Sequence, residues 1–224
     1  LATILLCNAC GIQDTYSGDA QRNELMTAWH TMATSQRSIA DIAQEAAPLV
    51  EKAALQGEAG LLRFLDVMAD PNEAPNTKVL ALIALTPHIG KFPQMSNRVM
   101  QITEEGNEIT ARACATHLLR LFDLPETNER LSQLLSDNES RVSVAAFIVL
   151  MQGGDAQALA RIKDIFHADG TNVAQKADIA LMMPASVVGK HLDVFEEVLL
   201  NEEMHYHARL RAVEVLGSSG DDGV

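Results

Sequence analysis

The sequence of 224 residues predicts an all-α fold, an α-solenoid (superhelix) of about five helical hairpins behind an N-terminal helical cap. Three observations predict it. First, Ala81, Ala115, Ala146, Ala177 and Ala212 stand 34, 31, 31 and 35 residues apart, a period that holds two helices of three or four turns with their loops. Leucine follows each alanine by four residues, as Leu85, Leu119, Leu150, Leu181 and Leu216. Ala84, Leu118, Val149, Ala180 and Val215 stand three after it, and Thr77, Ala111, Val142, Val173 and Ala208 four before it. These offsets share one helical stripe, on which the small residue admits a neighbouring helix and the leucine fills the space beside it.

Second, a partner helix precedes each stripe. Leu61, Phe64 and Leu65 form an i, i+3, i+4 triplet, as do Leu131, Leu134 and Leu135, then Ile162, Ile165 and Phe166, then Phe195, Val198 and Leu199. Val99 and Ile102 match less well, because Thr103 takes the third place. Third, polar residues able to cap a helix recur between the two helices, at Glu104–Asn107, at Asp137–Ser140 with Ser140 the expected cap, and at Asp169–Asn172. A pair this small cannot bury its stripe alone, so stacked neighbours must complete the core. No run alternates well enough to propose a sheet.

Taken in order, the chain reads as a leader remnant with a lipobox-like site (1–10), a polar tether (11–22), the helical cap (23–60) and the repeat domain (61–224). Asp19 to Thr34 predicts a helix with Leu25, Met26, Trp29 and Met32 on one face. Trp29 reads either as a cover for the first repeat or as a partner-binding anchor. Ser35 is a suitable N-cap for the next helix, which carries Ile39, Ile42, Ala43 and Ala46. Pro48 breaks that helix or opens a new one towards Leu55, and Gly57 and Gly60 flank another joint. Asp70 to Thr77 is a turn-rich loop, longer than its later equivalents and placed where it touches a partner or is a tolerated insertion. Pro93 fits the first turn of the following helix.

At this point the residues resemble a known family. The segments SRVSVAAFIVLMQGGD, EITARACATHLLRLFD and HARLRAVEVLGSSGDD are similar to HEAT repeats, in the short bacterial form of phycobilisome-lyase-type proteins. That form has a second helix resembling V-R-x-x-A-A-x-x-L and a Gly-Asp turn, which Gly154-Asp155 and Gly220-Asp221 match. The resemblance implies a basic residue three before the alanine. Lys78, Arg112 and Arg209 supply it, whereas Ser143 and Ala174 do not. The likeness covers roughly Leu61 to Asp222 and implies architecture rather than activity.

The net charge of −13 and the lack of basic clusters argue against nucleic-acid binding. Leu1 to Cys10 is apolar, uncharged and too short to span a bilayer. Asn8-Ala9-Cys10-Gly11 resembles a bacterial lipoprotein processing site, which implies lipidation of Cys10 and membrane contact only through that anchor. It would place the protein in the cell envelope, at the periplasm or outer membrane. An uncleaved or differently cleaved leader and the ordinary apolar terminus of a cytoplasmic protein are the alternatives. Cys7 and Cys10 also spell C-x-x-C, without a second half-site. Cys114 reads as a small buried hydrophobe.

Seven histidines are present: His30, His88, His117, His167, His191, His205 and His207. The His-Glu dipeptides of metal-dependent HEAT-like hydroxylases do not occur. His205-Tyr206-His207, after Glu202-Glu203, is the best local cluster, but residues i and i+2 of a helix face apart. A G-x-S-x-G elbow, a phosphate loop and a zincin motif are also missing from the sequence. No catalytic, cofactor-binding or metal-ligating residue is therefore assigned. The expected function is a non-catalytic scaffold or adaptor for a protein or peptide partner, with or without the lipid anchor. The alternative is a phycobilisome-lyase-like or other cofactor-handling role.

Overall fold

The computed structural model describes residues 26–31 and 39–219. Over these residues the protein is all-helical, with 14 α-helices, 76% helical content and no strand. The leader, the tether, the Ser35 cap and the Gly220-Asp221 turn lie outside the described residues. The chain forms two compact units, Leu1–Met95 and Ser96–Val224.

In the first unit α1 spans 26–31, within the expected Asp19–Thr34 helix. It is followed by α2 (Ile39–Leu55), α3 (Glu58–Ala69) and α4 (Pro75–Leu85). Two single 3₁₀ turns, Ile89–Lys91 and Pro93–Met95, close the unit. Helices α3 and α4 are the expected hairpin, and α2 packs on both. Pro48 neither breaks nor starts a helix, contrary to the sequence expectation; it lies inside the 17-residue α2. Pro48 and Gln44 both sit on the exposed face, so the carbonyl that loses its intrahelical donor can turn to water. The α2–α3 joint is tight. Gly57 takes a positive φ of 71°, and a Cβ on Gly60 would fall 2.0 Å from the Ala53 carbonyl oxygen, so both positions require glycine.

In the second unit four pairs follow. The first helix is α5 (Ser96–Ile102), paired with α6 (Ile109–Leu119); α7 (Pro125–Leu134) then pairs with α8 (Ser140–Gln152). The next first helix is split at Arg161 into α9 (Ala156–Ala160) and α10 (Ile162–Phe166), ahead of α11 (Val173–Met182). Finally, α12 (Ala185–Val188) and α13 (Leu192–Leu200) precede α14 (Tyr206–Ser219). Each first helix packs on its own second helix, and the second helices pack in series, α6 on α8, α8 on α11 and α11 on α14.

The alanine register sits at these crossings. Ala81, Ala115, Ala146, Ala177 and Ala212 are all buried, Ala146 at 0% exposure. Leu85 and Leu119 are buried too, whereas Leu150, Leu181 and Leu216 are half-buried at the margin of the second unit's core. Bulky Phe147 and Ile148 in α8, and Ile179 in α11, take the deeper places there. The partner triplets face inward around Leu61, Phe64, Leu131, Ile162, Phe166, Phe195 and Val198. Ser140 does not cap α8. It is the first residue of that helix, and Glu139, the preceding residue, makes no side-chain cap. Asp137 takes up the local donor instead, accepting from Glu139 N–H at 2.9 Å. Glu108 caps α6 through Thr110 and Ala111 N–H, and Asn172 forms a reciprocal capping box with Gln175 on α11.

Leucine at the crossing in place of alanine forces neighbouring helices apart. We expect Ala146→Leu to destabilise the fold by about 1–3 kcal/mol in urea denaturation. The control Ala160→Leu, at an exposed position in α9, should change stability by less than about 0.5 kcal/mol.

Candidate functional site

Buried cations arise where a second helix passes the end of its partner. Lys78, three before Ala81, is 1% exposed and donates to the carbonyls of Met68 (3.3 Å) and Asp70 at the end of α3. Arg112, three before Ala115, donates through Nε to the Thr103 carbonyl at 3.2 Å, just beyond α5. Arg130 from α7 reaches the same carbonyl at 3.0 Å and the Thr103 hydroxyl at 2.9 Å. Of these bonds only that from Arg130 to the hydroxyl depends on the threonine side chain; the carbonyl is backbone. The other end of Arg112 pairs with Asp137, with both side chains buried. These cations satisfy orphan carbonyls at the negative pole of a helix. Arg209 holds the equivalent place in α14, but its Nε is buried without a hydrogen-bond partner. Arg211 serves a different helix end, donating to Ala180 O (3.2 Å) and Met183 O (3.0 Å) at the end of α11.

The histidines are mostly dispersed. His117 sits inside α6, where burial and then the Arg120 charge lower its pKa. His191 is likewise lowered by burial, with Lys163 adding to the effect. His167 lies 3.4 Å from Glu197, which also takes an ion pair from Lys176 at 3.0 Å. His205 and His207 do come together, with ring centroids 5.1 Å apart. Their link is a cap rather than a ligand set, because His205 Nδ1 accepts from His207 N–H at 3.3 Å. Asp178 faces His205 and Arg141, and burial raises its pKa against their attraction. Among the described residues no group of three His, Cys, Asp or Glu side chains is placed to hold a metal ion. Cys10 lies outside the described residues, and Cys114 is buried in α6.

The one concave feature we describe lies in the first unit. Helices α2 and α4 run side by side with alanines between them, leaving a cleft of about 290 Å³. Ala46, Val50, Leu80 and Ala84 form a buried floor, while Ala47, Ile83 and Pro87 stand exposed at the rim. Trp29 of α1, 2% exposed, walls the cleft and meets the Phe64 ring edge-on at 4.8 Å. Glu51 and His88 are its titratable lining residues. The sequence pattern marks Trp29, Ala43 and Ala46 but not the cleft, which exists only once α2 and α4 are side by side. A hollow of this composition holds an apolar group and places one carboxylate beside it.

Truncating Asp137 would leave Arg112 charged and buried without its counter-ion. We expect Asp137→Ala to cost about 3–5 kcal/mol in chemical denaturation. Asp193→Ala removes an ion pair with Lys163 whose side chains are 50% and 47% exposed, and should cost less than about 1 kcal/mol. Equal losses for the two variants would refute this ranking.

No protein-family model matches the chain, and no curated protein matches it.

Proposed function

We propose that this chain is a non-catalytic protein–protein interaction scaffold, an α-solenoid of HEAT-like hairpins that holds a segment of a partner protein in the α2–α4 cleft. The cleft carries this reading. At about 290 Å³ it lies at the low end of ligand pockets, a size that suits one large apolar side chain better than a tetrapyrrole. That comparison favours a peptide over the cofactor-handling alternative. The repeated helical pairs support it, because stacked hairpins of this kind present extended binding surfaces. The partner segment is an apolar anchor flanked by basic residues. Glu51 at the cleft and the net charge of −13 favour that sign. In its tethered form the scaffold is held at the cell envelope by a lipid on Cys10. No helix among the described residues is long and apolar enough to cross a membrane.

A photoreactive residue at Ala47 or Pro87, in a defined peptide library, should enrich basic peptides bearing a large apolar residue. Ile83→Glu should lower that capture by about tenfold or more. Enrichment of acidic peptides, or capture indifferent to Ile83→Glu, would overturn the assignment. For the tether, labelled fatty acid should enter the chain expressed in a bacterial host and be lost in Cys10→Ser. Equal labelling of both would remove the anchor from the proposal.

A further inference from the structure

The loop expected over Asp70–Thr77 is shorter, residues 70–74, because Pro75 opens α4, and it has a role that its turn-rich sequence does not disclose. Asp70 folds the loop back by accepting from the N–H and side-chain amide of Asn72, at 2.8 and 2.9 Å. Its carbonyl is fixed from below by Lys78. Glu73 is thereby held in place, and its Oε1 lies 2.6 Å from His30 Nε2, across 43 residues of chain. The other ring nitrogen, Nδ1, lies 2.8 Å from the Met26 carbonyl oxygen. Both neighbours are acceptors. A carbonyl cannot donate, and neither can an ionised carboxylate, so keeping both bonds requires a proton on each nitrogen. A neutral imidazole carries one such proton and must give up one of the two bonds.

We propose that the His30–Glu73 contact is a pH-sensitive latch that seats α1, and with it the Trp29 wall, beside the α2–α4 cleft. The half that holds α1 to the loop is the tie to Glu73, since the bond to Met26 lies within α1 itself, and losing the ring's charge weakens that tie whichever nitrogen keeps the proton. The Met26 carbonyl raises the pKa of His30 above the usual histidine range; partial burial opposes this, and Glu73 and then Asp70 reinforce it. The charged groups facing His30 from the loop are thus both carboxylates. Lys78, the nearby cation of α4, is turned to the Met68 and Asp70 carbonyls. The seat is finely balanced, because Trp29 Nε1 is buried without a hydrogen-bond partner. Displacement of α1 would return that donor to water. The sign follows from the raised pKa. The latch is complete below the ordinary histidine value of about 6.5, and it is lost as pH rises through the higher value of the folded protein. This inference is independent of the peptide-binding reading, since it concerns the cover and not the occupant.

Trp29 is the single tryptophan of the chain, so its fluorescence reports on α1. In the full chain, acrylamide quenching of Trp29 should rise about two- to five-fold between about pH 6 and about pH 8.5, with a red shift in emission. Far-UV circular dichroism should stay constant over the same range. His30→Gln should remove the pH dependence, and Glu73→Gln should weaken it and move its midpoint down. Glu73 lies in a loop, so its variant keeps the test open if His30→Gln does not fold. Quenching that is flat with pH in the native chain would overturn the latch. So would a pH profile that survives either substitution unchanged. Nitrogen NMR of the His30 ring should show both nitrogens protonated at the lower pH, and a single-proton tautomer there would also overturn it.

Discussion

Helix carbonyls that end inside a protein must find donors, and that requirement governs where this chain places its cations. Helices α3 and α5 end in the interior, and Lys78, Arg112 and Arg130 reach their last carbonyls. Burying a charge is costly unless it is hydrogen-bonded and paired. Here the helix pole offsets that cost, and Asp137 adds a counter-charge to Arg112. Where the residue three before the alanine is not basic, another group does the same work. Thr171 donates its hydroxyl to Ile165 O at 2.7 Å, one residue from the end of α10. The end of α7 closes on itself, with Ser136 and Asp137 N–H bonding back to Gln133 and Leu134. Packing of the apolar stripes is possible because these ends are already satisfied.

The same demand shapes the first unit. Lys78 fixes the carbonyl at which the Asp70 loop begins, and that loop presents Glu73 to α1. The cleft between α2 and α4 is therefore bounded on one side by a helix whose position depends on side-chain electrostatics. The floor, built from Ala46, Val50, Leu80 and Ala84, depends only on close packing. Rigid floor and conditional wall are two parts of one small hollow.

The pairing of helices is legible because its signal is local: a small residue, a leucine one turn on, and an apolar triplet upstream. Ala115 and Ala146 are buried on that signal alone. Pro48 misleads because a proline's effect depends on whether the carbonyl four residues back meets water, which only the folded surface decides. Ser140 misleads because Asp137, not the residue at the helix start, accepts the local donor. The basic residue three before the alanine is visible as a pattern, but its purpose is not. Lys78 and Arg112 meet carbonyls, whereas the Nε of Arg209 meets none. The cleft and the His30–Glu73 contact stay hidden for one reason. Each joins segments far apart in sequence, and no periodicity records which residues meet across that distance.

One asymmetry in the second unit bears on its dynamics. Helix α8 has a second helix on either side, α6 and α11, whereas among the described helices α14 has only α11. The residues two before and one after the central alanine register this. They are buried as Val144 and Phe147 in α8, but exposed at 42% and 51% as Leu210 and Val213 in α14. Cooperative opening in a stacked array begins where the fewest interfaces must be broken. Taken over the described helices alone, releasing α14 breaks one such interface, whereas releasing α8 breaks two.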